Sequence, residues 1–102
     1  MWHGYTKLKN ADAYEAPLKP ELLPGISKKK GYKGSYLLRR EVADEVEFIT
    51  IMFWDSIDSI RAAVGPDYET AIIPEERRKY LSNYDAKSAH YQIAGVHGLE
   101  LK

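Results

Sequence analysis

The sequence contains no cysteine. That excludes a disulfide framework, a thiolate metal site and a cysteine nucleophile. It carries no surplus charge of either sign, since 15 Lys and Arg face 15 Asp and Glu. A bulk nucleic-acid binder shows a basic surplus, so that class is disfavoured. No apolar run approaches the roughly 18 residues of a membrane-spanning helix. The N-terminal residues lack the charged-then-apolar pattern of a secretory signal. A cytoplasmic location, with no membrane and no nucleic-acid partner, is therefore expected. Gly-rich phosphate loops, Ser-His-Asp patterns and metal motifs are missing too. The three histidines, His3, His90 and His97, fit no ligand spacing.

Aromatic residues are plentiful, with eight tyrosines and two tryptophans in 102 residues. Their large apolar bodies and polar tips suit a core, a subunit interface or a pocket. A chain of this length is one domain, expected over residues 1–95 with a tail from 96 to 102. Such a domain buries roughly two-thirds of its unfolded surface, so its core is thin.

Local patterns divide the chain. Residues 2–8, WHGYTKL, read as a first strand. Residues 12–23 read as a helix, with Tyr14, Leu18 and Leu22 on one face. Pro17 and Pro20 oppose it, because an interior proline costs about 3 kcal/mol. Either the helix starts near Ala16, with Pro17 at its first position, or it kinks. Residues 26–33 form a basic loop and 33–40 a second strand. Residues 46–54, VEFITIMFW, form a third strand that is apolar on both faces, so both faces need cover. Helices can cover one. In so small a domain the other calls for a second copy, hence a homodimer. Asp55-Ser56 caps the next helix and Gly65-Pro66 stops it. Pro74-Glu75-Glu76 opens another, running to about Leu81. Residues 88–95, SAHYQIAG, read as the last strand. The order β-α-β-β-α-(α)-β predicts an α+β domain of ferredoxin-like β-α-β-β-α-β topology, with a four-stranded antiparallel sheet.

The stretch LLRREVADEVEFITIMFWDSIDSIRA, followed by GPDYE and AHYQI, resembles the antibiotic-biosynthesis-monooxygenase-like family. The resemblance implies a dimeric α+β barrel, formed when the open faces of two sheets close on each other. It also implies a pocket between each sheet and its own helices. Characterised members include cofactor-free oxygenases of aromatic compounds and haem-degrading enzymes. The pocket Trp and proximal His of the haem-degrading branch fall at Ala63 and Ile73, so haem degradation is disfavoured. Ala63, where many relatives carry a large aromatic, and Pro17 depart from the family pattern. They read as drift or as an engineered reshaping of a cavity.

His3 on the first strand and His90 on the last are the candidate catalytic bases, because imidazole titrates near neutrality. The competing readings are a hydrogen-bonded strand-end histidine for His3 and a structural histidine at the dimer seam for His90. Trp54 is a candidate wall for a planar ligand or else a core or interface Trp, Tyr68 shapes the pocket mouth or packs the short helix, Tyr91 lies beside His90, and small Ala63 opens space. Arg40 is a candidate anchor for a phenolate or carboxylate. The competing role for Arg39 and Arg40 is a salt bridge to Glu41, Asp44 or Glu47. Phe48, Thr50, Met52 and Trp54 share one face of their strand, and Ile49, Ile51 and Phe53 the other. Either face can be the one that meets the helices. Lys28, Lys29 and Lys30 with Tyr32 read as a solvated loop.

The expected function is binding of a small aromatic molecule, with proton abstraction that needs no metal or organic cofactor. The alternatives are a non-catalytic dimeric ligand-binding or interaction protein, and an engineered proton-abstraction catalyst on the same scaffold.

Overall fold

A computed structural model describes residues 1–99. Four strands, β1 (Trp2–Lys7), β2 (Tyr32–Val42), β3 (Glu45–Trp54) and β4 (Leu81–Tyr84), form one sheet in the order β2-β3-β1-β4. Every neighbouring pair is antiparallel. Three helices, α1 (Ala11–Glu15), α2 (Ile57–Val64) and α3 (Glu75–Arg78), complete the regular structure, together with short 3-10 turns. The domain is thus α+β with a four-stranded antiparallel sheet and little helix. Strand order and directions are compatible with a ferredoxin-like arrangement. Among the described residues, no helix is long and apolar enough to cross a membrane.

The β2–β3 hairpin is the backbone of the sheet. Its register runs from Val42 opposite Glu45 to Tyr32 opposite Trp54, and Ala43-Asp44 is the turn. Ala43 adopts φ 57°, a left-handed conformation that costs a residue with a Cβ.

The expected first helix does not form over residues 12–23. An α-helix spans only Ala11–Glu15, tightens to a 3-10 turn at Ala16–Leu18, and ends there. Pro17 falls at the start of that turn, where its missing N–H is tolerated, and Pro20 prevents continuation. Tyr14, Leu18 and Leu22 are nonetheless all buried. With Ala11, Val46 and Phe48 they make the core. The Tyr14 and Phe48 rings meet at 4.9 Å. The helix-covered face of the sheet is therefore the one carrying Phe48, Thr50, Met52 and Trp54. Arg39 clamps β2 to α1 by pairing with Asp12 at 3.1 Å and Glu15 at 2.8 Å.

The last strand also departs from expectation. β4 is Leu81–Tyr84, and residues 88–95 carry no strand. Leu81 belongs to the sheet, so the helix from Pro74 stops at Arg78. Leu81 pairs opposite Thr6 and packs on the core, which draws the chain into the sheet early. Residues 85–89 still follow β1 through single bonds. Asp85 N donates to His3 O, and Ala89 N to Met1 O, each at 2.9 Å. Of the expected tail, residues 100–102 lie outside the described residues.

Helix α2 matches its local code. The Ser56 hydroxyl accepts from Ser59 N at 3.1 Å, and Gly65 ends the helix at φ 98°.

Candidate functional site

The helix-covered face of the sheet does not pack flush against the elements over it. A cavity of about 130 Å³ remains between them. Its floor is Trp2 on β1 with Thr50, Met52 and Trp54 on β3. Tyr14, Leu18, Leu22 and Ile26 wall one side, and Ile60 and Val64 of α2 another. Tyr68, Arg77, Ser88 and His90 add polar groups to the wall. For scale, an apolar protein cavity of about 150 Å³ holds one benzene.

The floor depends on a missing side chain. A Cβ at Gly4 would lie 2.5 Å from the Trp2 indole. The absence of that atom lets the ring lie against β1. The indole is then locked by its N–H, which donates to Asp85 O at 2.7 Å. At the far end, Trp54 is braced edge-on by Tyr32 at 5.5 Å.

His90 reaches the cavity because two segments hold its stretch of chain. Ser88 N donates to Glu69 O at 2.7 Å and Ala71 N to Ala86 O at 3.0 Å, while Ala89 bonds Met1 on the other side. His90 is thereby set edge-on to Tyr68, ring centres 5.0 Å apart. The Arg61 guanidinium covers Tyr68, 5.5 Å from its centre. The Nδ1 of His90 is buried and, among the described residues, has no hydrogen-bond partner of good geometry. Burial holds this imidazole below its ordinary value, against the Glu69 carboxylate and the Ser88 backbone. It is therefore neutral at neutral pH, the form a base needs. Burial also pushes the Tyr14 phenol up to about 12, so it stays protonated and can only donate to an anion.

Of the residues singled out in the sequence, His90, Trp54 and Tyr68 come together at this cavity. The others do not. His3 lies on the opposite face of the sheet, with Nδ1 2.9 Å from Asp85 Oδ2. Arg40 shares that face and pairs with Glu47, Nε to Oε1 2.5 Å. Tyr5 donates to the same carboxylate at 3.0 Å. The Arg40 charge and hydrogen bond keep Glu47 below the usual carboxylate range, and the bond from Tyr5 adds to this. Ala63 is half-buried on α2 but does not line the cavity, to which α2 presents Ile60 and Val64. Tyr91 is 76% exposed. The two candidate histidine bases are thus on opposite sides of one sheet and cannot serve a single site within one chain.

The cavity also includes residues that are not among the site candidates of the sequence: Trp2, Tyr14, Thr50 and Arg77. Alternation along the first strand is a usable signal for Trp2, which shares a face with Gly4 and Thr6. Nothing local marks Arg77. Among the described residues, no group of three His, Asp or Glu side chains is placed to hold a metal ion. Compared with protein-family models, curated proteins and solved structures, the chain matches none of them.

Proposed function

We propose that this protein binds a planar, largely apolar molecule of about one ring in the sheet–helix cavity and removes a proton from it, with His90 as the base. The observation that carries the reading is the His90 imidazole on the wall of a ring-sized, largely apolar cavity, set edge-on to Tyr68. The proton moves to an imidazole nitrogen, and the electron pair stays on the substrate as a carbanion or phenolate. Tyr14, Tyr68 and Arg77 supply donors on the cavity wall for the charge that develops. The later step is suggested by the resemblance to the antibiotic-biosynthesis-monooxygenase-like family. A methylene on the ring then meets dioxygen without a cofactor: the CH2 becomes C=O, the substrate supplying both hydrogens and all four electrons, and the second oxygen atom leaves as water.

Two measurements test this. A crystal soaked with planar aromatic compounds is expected to show density between Trp54 and His90, and a cavity filled by side chains sinks the pocket reading. Deuterium exchange at the methylene of a single-ring carbon acid such as phenylacetone, followed by proton NMR, is expected to slow about 10²-fold or more in His90→Gln. It should be unchanged in His3→Gln. The reverse pattern moves the base to the other face of the sheet.

A second reading, a homodimer closed through the open sheet faces, rests on a separate observation. Tyr36, Leu38 and Val42 are exposed on the face that no helix covers. Ile49, Ile51 and Phe53 lie beside them by register. A ferredoxin-like sheet of this kind would bury that apolar strip in a dimeric barrel. Sedimentation of the wild type and of Leu38→Lys tests it: a wild-type dimer that the variant splits is expected, and a wild-type monomer at all concentrations ends the idea.

A further inference from the structure

Among the described residues, the cavity has one fixed side-chain charge. Among the described residues, Arg77 is the only Lys or Arg on its wall, and no Asp or Glu lines it. Arg77 is half-buried and donates an Nη1 hydrogen to the Leu22 carbonyl. Among the described residues it forms no salt bridge, unlike Arg39, Arg40 and Arg61. A half-buried guanidinium with no anion beside it among the described residues gains from an incoming carboxylate. Its planar fork matches carboxylate geometry, and one bond to Leu22 leaves further donors free. Tyr14 lies on the same cavity, within reach of the Arg77 charge, and offers a hydroxyl donor. The Met1 amino group, the other cation at the wall, is already engaged with the Ala89 carbonyl at 2.6 Å.

We infer that the ligand is a single-ring carboxylate, its charge held by Arg77 and its ring enclosed between Trp2, Trp54 and Leu22. This builds on the proposed function, since it takes the same cavity as the binding site and names the class of molecule that enters it. It also orients the substrate: the anionic end points toward α3, leaving another edge of the ring for His90.

Calorimetric titration of the full chain with benzoate, benzamide and benzylamine tests the inference. The three share a ring and differ in charge. Benzoate is expected to bind roughly tenfold or more tightly than benzamide, from one charge-assisted hydrogen bond in a half-buried site. Benzylamine is expected to bind weakest. Arg77→Gln should erase the preference for benzoate while leaving benzamide binding intact, which also shows that the cavity still folds. Arg77→Lys should retain part of it. Equal binding of benzoate and benzamide by the wild type overturns the carboxylate assignment and leaves the pocket standing. A benzoate preference that survives in Arg77→Gln overturns the assignment to Arg77. Failure of all three compounds to bind removes the pocket reading and this inference with it.

Discussion

Truncating Phe48 to alanine measures which face of the sheet is the core. The Phe48 side chain is fully buried, at 0% exposure. Its ring packs 4.9 Å from that of Tyr14 and lies 5.6 Å below the Arg39 guanidinium. Removing a buried phenyl loses its transfer free energy and leaves a void, together costing about 3–5 kcal/mol. The lost aromatic pair contributes about 0.5–1.5 kcal/mol of that. Domains have only about 5–15 kcal/mol of total stability, so the variant should be marginal. Ile51 is the contrasting site, half-buried on the opposite face. In an isolated chain Ile51→Ala should cost about 1 kcal/mol, roughly half the burial term of an isoleucine. If the open faces pair, that cost should grow with protein concentration, because only the paired state buries Ile51 fully. Urea unfolding followed by tryptophan fluorescence, at low and high protein concentration, reads both numbers. A Phe48→Ala cost below about 1.5 kcal/mol, the range of tolerated core swaps, would refute the assignment of faces.

Three further outcomes are expected. Ala43→Gly should stabilise by about 0.5–1 kcal/mol, since relief of a left-handed alanine, about 1–2 kcal/mol, exceeds the added chain entropy of glycine; a lower urea midpoint would show the hairpin turn is built otherwise. Ser56→Ala should cost about 1 kcal/mol by removing the cap on Ser59 N–H, visible as a lower melting temperature, whereas an unchanged value would mean the cap is idle. Melting temperature should also fall in two stages on acidification. His90 has a lowered value when folded, so the unfolded chain binds its proton first and stability declines as pH drops from about 6.5 through the folded value. Glu47, held low by Arg40, and Glu15, held low by Arg39 and Lys19, give stabilisation that is complete above about 4.3 and lost as pH falls through their folded values. His90→Gln should flatten the first stage alone, and a wild type with no decline between about pH 7 and 5 would remove His90 from its buried setting.

Elements written in local code are legible. The β-branched and aromatic run of β3, the Ser56 cap with the Gly65 stop of α2, and the burial of Tyr14, Leu18 and Leu22 all follow from neighbours in sequence. The α+β class and antiparallel sheet follow from their order. Local pattern misleads where distant pairing outweighs it. Residues 88–95 have a good strand pattern, yet Leu81–Tyr84 is the strand, because Leu81 meets both Thr6 and the core. Apolar periodicity alone overextends the first helix, because Pro17 and Pro20 set its end.

The candidate site divides in the same way. Trp54, Tyr68 and His90 stand out by residue type, and type alone makes them candidates. Whether His3 or His90 faces the cavity depends on strand register, a property of the assembled sheet: with Trp2 and Gly4 turned toward the helices, His3 must turn away. Arg77 becomes a candidate only because, among the described residues, it has no carboxylate partner and sits against the Leu22 carbonyl and an apolar wall. The sequence by itself determined which side chains have chemistry to offer and which short stretches fold by their own pattern, because those depend on covalent structure and near neighbours. Only the tertiary structure decided which of them share a cavity, because that depends on contacts between residues far apart in the chain.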